Sequence, residues 1–443
     1  MHTGPQPMRR SWHPDRSRVE TGSLSRAPER GSIRHHPTEQ LRIQPGTIDR
    51  DGAADHPGDM MKTQDQAAAN DDGLTRAFVL EGPNEPLREE FLVLSEPREE
   101  EVLIEVAACG VCHTDLHVMK DEVRFPTPAV LGHEVSGIVR SIGPNVVDVQ
   151  PGDRVVCSFI MPCGACRHCA DGLEDICVNF FEFNRLNGKL YDGTTRIHRQ
   201  NGDPVSMYSM GGHATHCVVP SRAVFPLPDE VPLGEAALLG CSLFTAYGAV
   251  RSIAEVTEGE TVAVVAAGGI GLSIIHLARA FGAERVIAID IDDEKLALAA
   301  EFGATDVVNS ADRDPVDAVK SLCGRGVDVA FEALGSQPTV KLAVSLLDDG
   351  GRAVLAGIAP VGHTMDIDIT QVVRRKLRIL GSFGASASGA MPAVIELAAR
   401  GHIDLQKLIT QRFGFDEIPL AYELLDRRQI RGRGLVEINP TMS

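Results

Sequence analysis

The sequence has no apolar run approaching the roughly 18 residues that a membrane-spanning helix needs. Its N-terminus also lacks the apolar core of a signal peptide. There is no excess of positive charge, because 61 acidic residues outnumber 43 basic ones and give a formal net charge of -18. Since such a surface repels polyanions, neither a membrane nor nucleic acid is expected as a partner. We expect a cytoplasmic location.

Ten cysteines would suit a disulfide framework only in a short secreted chain. In a chain of 443 residues without a signal peptide, a reducing compartment is expected, and metal binding is a better interpretation of the cysteines. The length exceeds what a single hydrophobic core usually holds. Two domains are therefore predicted.

The N-terminal segment is rich in Arg, His, Pro, Gly, Ser and Asp and has hardly any apolar residue at a regular period. This composition predicts a disordered extension over 1–73. Its Arg-rich opening is only weakly similar to a transit peptide, since acids and prolines interrupt it. Met60 and Met61 stand just before the first ordered segment, and we hypothesise that translation starts there.

Two different patterns of apolar residues follow this segment. Short segments rich in Val and Ile, such as TRAFVL, EVLIEVAACG and DRVVCSFI, predict a β-rich, barrel-like domain. After Cys241, apolar strands alternate with amphipathic helices up to about Phe383, which predicts a doubly wound parallel sheet of six strands. The C-terminal helices and the strand GLVEI are predicted to return to the first domain. The predicted architecture is α/β, with one domain over 74–242 and 384–443 and an inserted domain over 243–383.

The segment AAGGIG, at 266–271, joins a predicted strand to a predicted helix. Its glycines let the backbone approach a pyrophosphate, which the free N–H groups at the start of the helix bind. Asp290 ends the next strand, where its carboxylate can bind a ribose and repel a 2'-phosphate. The pattern predicts binding of NAD rather than NADP. Ala266 replaces the first glycine of the usual motif, and we expect a turn that does not need a positive φ there.

Four closely spaced cysteines are the strongest metal signal: Cys163, Cys166, Cys169 and Cys177. Four thiolates without a histidine predict a closed tetrahedral zinc site, which has a structural role because no position is open. The acidic surroundings disfavour a nucleic-acid-binding zinc ribbon.

A second set of candidate ligands is dispersed, with Cys112 in CHTDLH, His133 in GHE and Cys241 in LGC. Two thiolates and one imidazole leave a fourth position open, as in a catalytic zinc site. A lone cysteine in an apolar segment is more often a small buried hydrophobe, so the assignment depends on the order of these motifs. The remaining cysteines belong to no motif and are interpreted as ordinary buried thiols: Cys109, Cys157, Cys217 and Cys323.

In this order, CHTDLH, GHE, the four-cysteine lobe, LGC, the glycine turn and the aspartate resemble the zinc-dependent alcohol dehydrogenases of the medium-chain dehydrogenase/reductase superfamily, over about 75–438. The long segment after the lobe, which contains YDGTTRIHRQNG, resembles the class that includes the liver enzymes. The resemblance implies a GroES-like catalytic domain with an inserted Rossmann domain. It also implies two zinc ions per subunit, one catalytic and one structural, together with NAD, an alcohol or aldehyde substrate and a homodimer.

The resemblance assigns roles to single residues. Thr114 takes the proton of the substrate hydroxyl and His117 passes it on to solvent. Asp115 and Glu134 support the zinc ligands, and Phe159 lines the substrate pocket. The residues implied for NAD are Gly268, Gly269, Ile270, Gly271, Asp290, Lys295, His113 and Arg433, with Arg431 as a rival of Arg433. A plain exposed position for His113 or His117, and a core position for Phe159, are the alternatives.

The predicted reaction is reversible hydride transfer between an alcohol and NAD. One alternative is a thiol-adduct-dependent formaldehyde dehydrogenase of the same superfamily, although the sequence shows no obvious anion-binding arginine for the predicted pocket. The other is a non-catalytic protein that binds nucleotide and zinc. Intact ligands at all seven predicted zinc positions disfavour it, because a structural role does not need an open metal site.

Overall fold

The computed structural model of this chain describes residues 73–442, so the predicted extension and the start at Met60 or Met61 lie outside the described residues. The strands are β1 Leu74–Leu80, β2 Arg88–Leu94, β3 Glu101–Val111, β4 Ala129–Val130, β5 Val135–Ile142, β6 Arg154–Cys157, β7 Ile197–His198, β8 Pro204–Met207, β9 His216–Pro220, β10 Val224–Pro226, β11 Thr261–Val265, β12 Arg285–Asp290, β13 Asp306–Asn309, β14 Val327–Glu332, β15 Leu347–Leu355, β16 Arg378–Gly381, β17 Ile409–Gly414 and β18 Arg433–Glu437.

The α-helices are α1 His113–Met119, α2 Arg167–Ala170, α3 Ser242–Tyr247, α4 Gly269–Ala280, α5 Asp293–Glu301, α6 Pro315–Cys323, α7 Gln337–Leu346, α8 Ile369–Arg374, α9 Ala387–Ala399, α10 Leu405–Leu408 and α11 Ile418–Asp426. Short 3-10 turns occupy Glu174–Ile176, Ser221–Ala223, Glu235–Gly240, Phe415–Glu417 and Pro440–Met442. Two π-helical turns occupy Phe180–Arg185 and Gly248–Ile253.

The β-rich part contains two sheets. Strands β1, β2, β7, β8 and β4 close a small barrel, and a larger sheet has the order β10-β6-β5-β3-β18-β17, with β9 also paired to β3. The C-terminal strand β18 lies antiparallel to β3, with Gly434 opposite Val111. The prediction that the C-terminal segment returns to the first domain is therefore confirmed. Strand β17 was not predicted, because Ile409 and Phe413 are its only apolar side chains and give little signal.

The third sheet has the order β13-β12-β11-β14-β15-β16, and all of its strand pairs are parallel. The predicted six-stranded doubly wound sheet is confirmed. All five residues of β11 are buried, as expected for a strand whose two faces are covered by helices. Helix α4 follows β11 and buries Ile274, Leu277 and Ala278, as its apolar period predicts. The exact boundaries at 242/243 and 383/384 stay predictions.

One helical stretch, Glu235–Ile253, is long and apolar enough to cross a membrane. Within the protein, 78% of its most apolar window is buried. Its α3 portion packs against α4 and α9. Such burial is typical of a core helix between two layers of a globular protein.

The turn between β11 and α4 departs from expectation at Ala266. Its φ is 76°, in the left-handed region, so the prediction that this turn does not need a positive φ is wrong. An L-residue in that region is strained by roughly 1–2 kcal/mol. Gly271 is required for another reason, since a Cβ there would lie 2.0 Å from the carbonyl oxygen of Ala266. The turn therefore brings the start of α4 close to its own entry strand.

Ala266→Gly is expected to raise the free energy of unfolding by about 0.5–1 kcal/mol, because relief of the strain exceeds the added chain entropy of glycine. The melting temperature should rise by about 2 °C. Ala267→Gly is the matched control, since Ala267 is buried and does not share the positive φ. The control should be destabilised, and equal shifts for both variants would show that position 266 is not strained.

Candidate active site

Three dispersed elements bring four donor groups together below the glycine turn. Cys112 precedes α1, His133 and Glu134 lie in the loop before β5, and Cys241 precedes α3. Their ligand atoms all lie within 4.8 Å of one another, and all four residues are buried. The Cys241 Sγ lies 3.5 Å from His133 Nε2. The structure thus brings together the three ligands that the sequence proposed for the open metal site, with Glu134 beside them.

Helix α1 explains why neighbouring residues separate into different roles. Asp115 and Val118 face the interior, whereas Thr114 and His117, three residues apart on one side of the helix, line the cavity together with Leu116. This division follows from the helical period.

Asp115 orients His133 from behind. Its carboxylate lies 3.0 Å from His133 Nδ1, which leaves Nε2 of the ring for the donor cluster. Tyr422 of α11 donates its hydroxyl to the same carboxylate at 3.1 Å and also contacts His213 Nε2 at 3.1 Å. The prediction named Asp115 but missed Tyr422 and His213. Tyr422 lies in a predicted helix where it resembles any core aromatic, so no local signal marks it.

The cluster carries buried charge. A hydrogen bond with Cys241 lowers the pKa of the Cys112 thiol well below its ordinary value, and the same bond raises the pKa of Cys241. Burial alone would lower the pKa of His133, but the Asp115 carboxylate and the Cys112 thiolate raise it to about 10.

Glu134 provides a test of whether a metal fits. Its Oε1 pairs with Arg433, whereas its fully buried Oε2 has no hydrogen-bond partner among residues 73–442. A buried carboxylate oxygen without a partner is costly, and a cation beside it would satisfy it. The two sulfurs and the imidazole nitrogen are a donor set that suits zinc and leaves a fourth position open, with the Glu134 carboxylate beside it. The residues present fit the ion that the resemblance implies.

The four-cysteine lobe fits zinc by distance. Four sulfurs held at 2.3 Å around one zinc ion would lie about 3.8 Å apart. The Sγ atoms of Cys166 and Cys169 are 3.6 Å apart, those of Cys166 and Cys177 are 3.9 Å apart, and those of Cys163 and Cys169 are 4.0 Å apart. Although desolvation opposes the shift, backbone hydrogen bonds from Cys169 and Val178 lower the pKa of Cys166 to about 6. The predicted closed site is therefore preformed.

A cavity of about 590 Å³ extends from the buried cluster to the glycine turn. Three predicted site residues outside the four-cysteine lobe do not line this cavity: Asp115, Glu134 and Gly271. The predicted residues that line it are Cys112, His113, Thr114, His117, His133, Phe159, Cys241, Gly268, Gly269, Ile270, Asp290, Lys295, Arg431 and Arg433. One cavity thus joins the candidate metal site to the candidate dinucleotide site.

The dinucleotide end is fixed by backbone hydrogen bonds. Asp290 accepts from the backbone N–H of Ala267 and of Ile291, both at 2.8 Å, which holds its carboxylate beside the turn. Arg433 packs against the start of α4, since a Cβ on Gly269 would lie 2.6 Å from Arg433 Cδ. Arg431 is half exposed and pairs with Glu294 on the surface. The position of Arg433 favours it over its rival for contact with a pyrophosphate at the turn.

The aromatic lining combines two roles. Phe159 is almost fully buried and also lines the cavity, so the pocket and core interpretations both hold for its position. Its ring packs edge-on against His133 at 5.9 Å, Phe244 at 5.9 Å and Phe383 at 5.6 Å between centroids. The sequence alone did not indicate Phe244 or Phe383.

Arg185 corrects another expectation. The sequence showed no obvious anion-binding arginine for the pocket, yet Arg185 lines the cavity with its guanidinium 4.1 Å from the ring centroid of Tyr208. Both residues lie in the long segment after the lobe, where no motif marks them. Among the cysteines outside the two clusters, Cys109, Cys157 and Cys217 are buried as predicted, whereas Cys323 is only half buried.

Comparisons with known proteins agree with this geometry. The sequence model of the family described as "Alcohol dehydrogenase GroES-like domain" matches residues 98–229, and that described as "Zinc-binding dehydrogenase" matches residues 269–400. The chain belongs to the zinc-dependent alcohol dehydrogenases of the medium-chain dehydrogenase/reductase superfamily. It is therefore an oxidoreductase of this family. It carries a four-cysteine site and a second site that resembles a catalytic metal site.

Two curated relatives have different named activities. The NDMA-dependent alcohol dehydrogenase of Amycolatopsis methanolica is 34% identical over 364 residues, covering 81% of this chain and 98% of that protein. The S-(hydroxymethyl)glutathione dehydrogenase of Escherichia coli O1:K1 is 34% identical over 357 residues, covering 79% of this chain and 96% of that protein. The solved benzyl alcohol dehydrogenase of Acinetobacter calcoaceticus matches with a TM-score of 0.78 and 32% identity, covering 83% of this chain and 99% of that one.

Proposed function

We propose that the protein catalyses the reversible NAD-dependent oxidation of an alcohol to an aldehyde or ketone. The observation that carries this proposal is a single cavity with a buried sulfur, nitrogen and oxygen donor cluster at one end and a glycine turn with Asp290 at the other. This arrangement supports the proposal, because a substrate hydroxyl at one end and a nicotinamide from the other would come within reach of each other.

At the metal end, Cys112, His133 and Cys241 would hold a zinc ion. When bound, zinc supplies Lewis acidity that lowers the pKa of a neighbouring hydroxyl group. The Thr114 Oγ lies 3.6 Å from Cys112 Sγ and would accept a hydrogen bond from the substrate hydroxyl, releasing its own proton toward solvent as it receives the substrate proton. His117, one turn further along α1 and half exposed, passes the proton to solvent. Phe159 keeps water out of this end of the cavity.

At the other end, the N–H groups of Gly268, Gly269 and Ile270 bind the pyrophosphate at the start of α4. Arg433 adds a positive charge there, and Asp290 binds the adenosine ribose. NAD supplies the acceptor for the hydride. Because the Asp290 carboxylate would repel a 2'-phosphate, NAD is preferred to NADP. Lys295 and His113 also line this part of the cavity.

The test is an assay of NAD reduction with primary aliphatic, allylic, aromatic and secondary alcohols, on protein whose zinc content has been measured. We expect turnover with NAD and much weaker turnover with NADP. The same assay with Asp290→Ala should lose most of the preference between the two cofactors. No NAD reduction with any alcohol, on zinc-loaded protein, would refute the proposal.

A thiol-adduct formaldehyde dehydrogenase is the second candidate function. Two observations favour it, namely the named activity of the Escherichia coli relative and the presence of Arg185 in the cavity. Formaldehyde oxidation that needs added glutathione or mycothiol would establish this candidate. Equal activity on alcohols with and without a thiol would exclude it as the main reaction.

His117→Gln is expected to lower kcat/KM at pH 7 by about tenfold or more, because a group that carries a proton from a dry site to solvent is lost. The deficit should narrow as pH rises or as imidazole is added, since an external base then takes the proton. Steady-state rates across a pH series measure this. In the structure, the His117 ring is half exposed and pairs with Glu122.

His402→Gln is the matched control for that variant, because His402 is exposed and does not line the cavity. Its pH profile should match that of the unmodified protein. If His117→Gln shows a deficit that is constant with pH, His117 does not carry the proton and acts only in packing.

We also propose a homodimer in which a second copy of the chain covers the β16 edge. Strand β16 ends the six-stranded sheet, with β15 as its partner on one side. Three apolar side chains are exposed shortly before β16, two on helix α8 and one just before that helix: Ile369, Val373 and Ile367. Light scattering should give twice the chain mass of 47.6 kDa. Ile369→Asp should yield monomer, whereas Val147→Asp, at an exposed position in the β-rich domain, should not.

A further inference from the structure

A chain of three buried side chains, formed by His213, Tyr422 and Asp115, leads to His133. All three are fully buried, and none of them lines the cavity. The Tyr422 hydroxyl lies 3.1 Å from Asp115 Oδ2 and 3.1 Å from His213 Nε2. Asp115 in turn contacts His133 Nδ1 at 3.0 Å. The chain of contacts therefore ends on the one imidazole of the donor cluster.

The chemistry of these groups sets the direction of the hydrogen bonds. The Asp115 carboxylate only accepts, so the Tyr422 hydroxyl donates its single proton to it. The contact between Tyr422 and His213 is then one in which the His213 Nε2–H donates to the hydroxyl oxygen. His213 Nδ1 is buried and has no hydrogen-bond partner in the described part of the chain, which suits a nitrogen without a proton. Each bond therefore points toward Asp115.

The His213 ring is fixed on the loop that carries the metal ligand. Its backbone N–H donates to the carbonyl oxygen of Leu131 at 2.8 Å, and its own carbonyl accepts from the N–H of Phe78 at 2.9 Å. Gly132 has a φ of 93°, and a Cβ there would lie 2.6 Å from the His213 backbone nitrogen and 2.7 Å from its ring Cδ2. The ring of His213 thus packs on the residue directly before His133.

The hydrogen-bonded chain joins three separate elements of the fold. Asp115 lies on α1, Tyr422 lies on α11, and His213 lies between β8 and β9. The Asp115 carboxylate also accepts from the backbone N–H of Gly132 at 3.1 Å. A buried network whose members bond to one another in this way restricts the rotation of each group. The Asp115 carboxylate is therefore held from two sides against the imidazole.

We propose that Tyr422 and His213 are positioning residues of the metal site. By donating in sequence to Asp115, they hold its carboxylate against His133 Nδ1 and keep His133 Nε2 directed at the zinc ion. The inference rests on the proposed function, because it takes zinc to be held by the donor cluster. Groups that orient a zinc-bound histidine commonly change metal affinity by about 10- to 100-fold.

The test follows zinc release from the zinc-loaded protein after mixing with an excess of a chelating dye. Two phases are expected, one for each zinc site, and Cys112→Ala identifies the phase of the donor cluster because that phase should be missing. Tyr422→Phe should accelerate the cluster phase by about 10- to 100-fold, since the carboxylate behind His133 loses a hydrogen bond. The phase of the four-cysteine lobe should not change.

A second substitution separates positioning from stability. Tyr422→Phe leaves the His213 Nε2–H buried without an acceptor, so the melting temperature should fall by about 2–5 °C. Adding His213→Leu removes that donor and should recover part of the melting temperature, while zinc release stays as fast as in Tyr422→Phe. His213→Leu alone should accelerate release only about threefold, because Tyr422 still donates to Asp115. Zinc release that follows the melting temperature through these three variants would overturn the inference.

Tyr208→Phe is the matched control. Tyr208 is fully buried, its ring centroid lies 6.1 Å from that of His133, and its hydroxyl has no hydrogen-bond partner among residues 73–442. The substitution removes the same atom near the same imidazole and should leave both release phases unchanged. If Tyr208→Phe accelerates the cluster phase as much as Tyr422→Phe does, the specific role of Tyr422 is wrong.

Zinc release needs no turnover, so it separates this inference from the proposed function. Faster release in Tyr422→Phe, from a protein that oxidises no alcohol with NAD, would refute the proposed function and retain the positioning roles. An unchanged cluster phase in Tyr422→Phe would overturn the positioning roles, while NAD reduction by the unmodified protein would still support the dehydrogenase.

Discussion

Cys112→Ala and His133→Ala are each expected to lower kcat/KM for alcohol oxidation by about 10³-fold or more, because each change removes a donor from the buried cluster. In His133→Ala, the buried Asp115 carboxylate also loses the imidazole that it contacts at 3.0 Å. Steady-state kinetics with NAD and an active alcohol measure the loss. Elemental analysis should show a decrease of about one zinc per chain, since three strong ligands become two.

Cys109→Ala is the matched control, because Cys109 lies three residues before Cys112, is fully buried and contributes no atom to the cluster. The same chemical change there should cost only the packing of one sulfur, about 1–2 kcal/mol of stability. Its zinc content and kcat/KM should be close to those of the unmodified protein. Activity that survives the loss of Cys112 or His133 would exclude this cluster as the catalytic centre.

Local sequence patterns determined the parts of the fold that were predicted well. The parallel sheet follows from fully apolar strands such as β11, and the start of α4 follows from the glycines beside it. The metal residues were found because Cys112, His133 and Cys241 each lie in a short recognisable motif whose order along the chain carries information. The roles of Thr114 and His117 were implied only by the family resemblance, and the helix α1 that carries both was seen only in the structure.

Residues whose role depends on distant contacts were not predictable in the same way. Tyr422 reaches Asp115 across 307 positions of sequence and His213 across 209. Neither contact leaves a periodic or compositional signal. The positive φ of Ala266 was missed for a related reason, since the close packing of Gly271 on the Ala266 carbonyl sets the turn. Close approach of two backbone segments is visible only in three dimensions.

Cys169→Ser is expected to lower the melting temperature by about 10 °C, because a structural zinc site contributes several kcal/mol and each kcal/mol corresponds to about 2–4 °C. The lobe is tied to the rest of the protein, since the buried Glu174 carboxylate accepts hydrogen bonds from Ser386 at 3.0 Å and from the backbone N–H of Ser388 at 2.8 Å. Loss of the lobe should therefore also loosen α9 and expose 163–177 to proteases. Thermal melting, limited proteolysis and zinc content measure the three effects.

Cys323→Ser is the control, because Cys323 is a half-buried thiol at the end of α6 and lies outside both clusters. It should keep the full zinc content and a melting temperature close to that of the unmodified protein. An unchanged melting temperature with one zinc lost would mean that the lobe is held by its Glu174 contacts, and that its metal does not stabilise the fold.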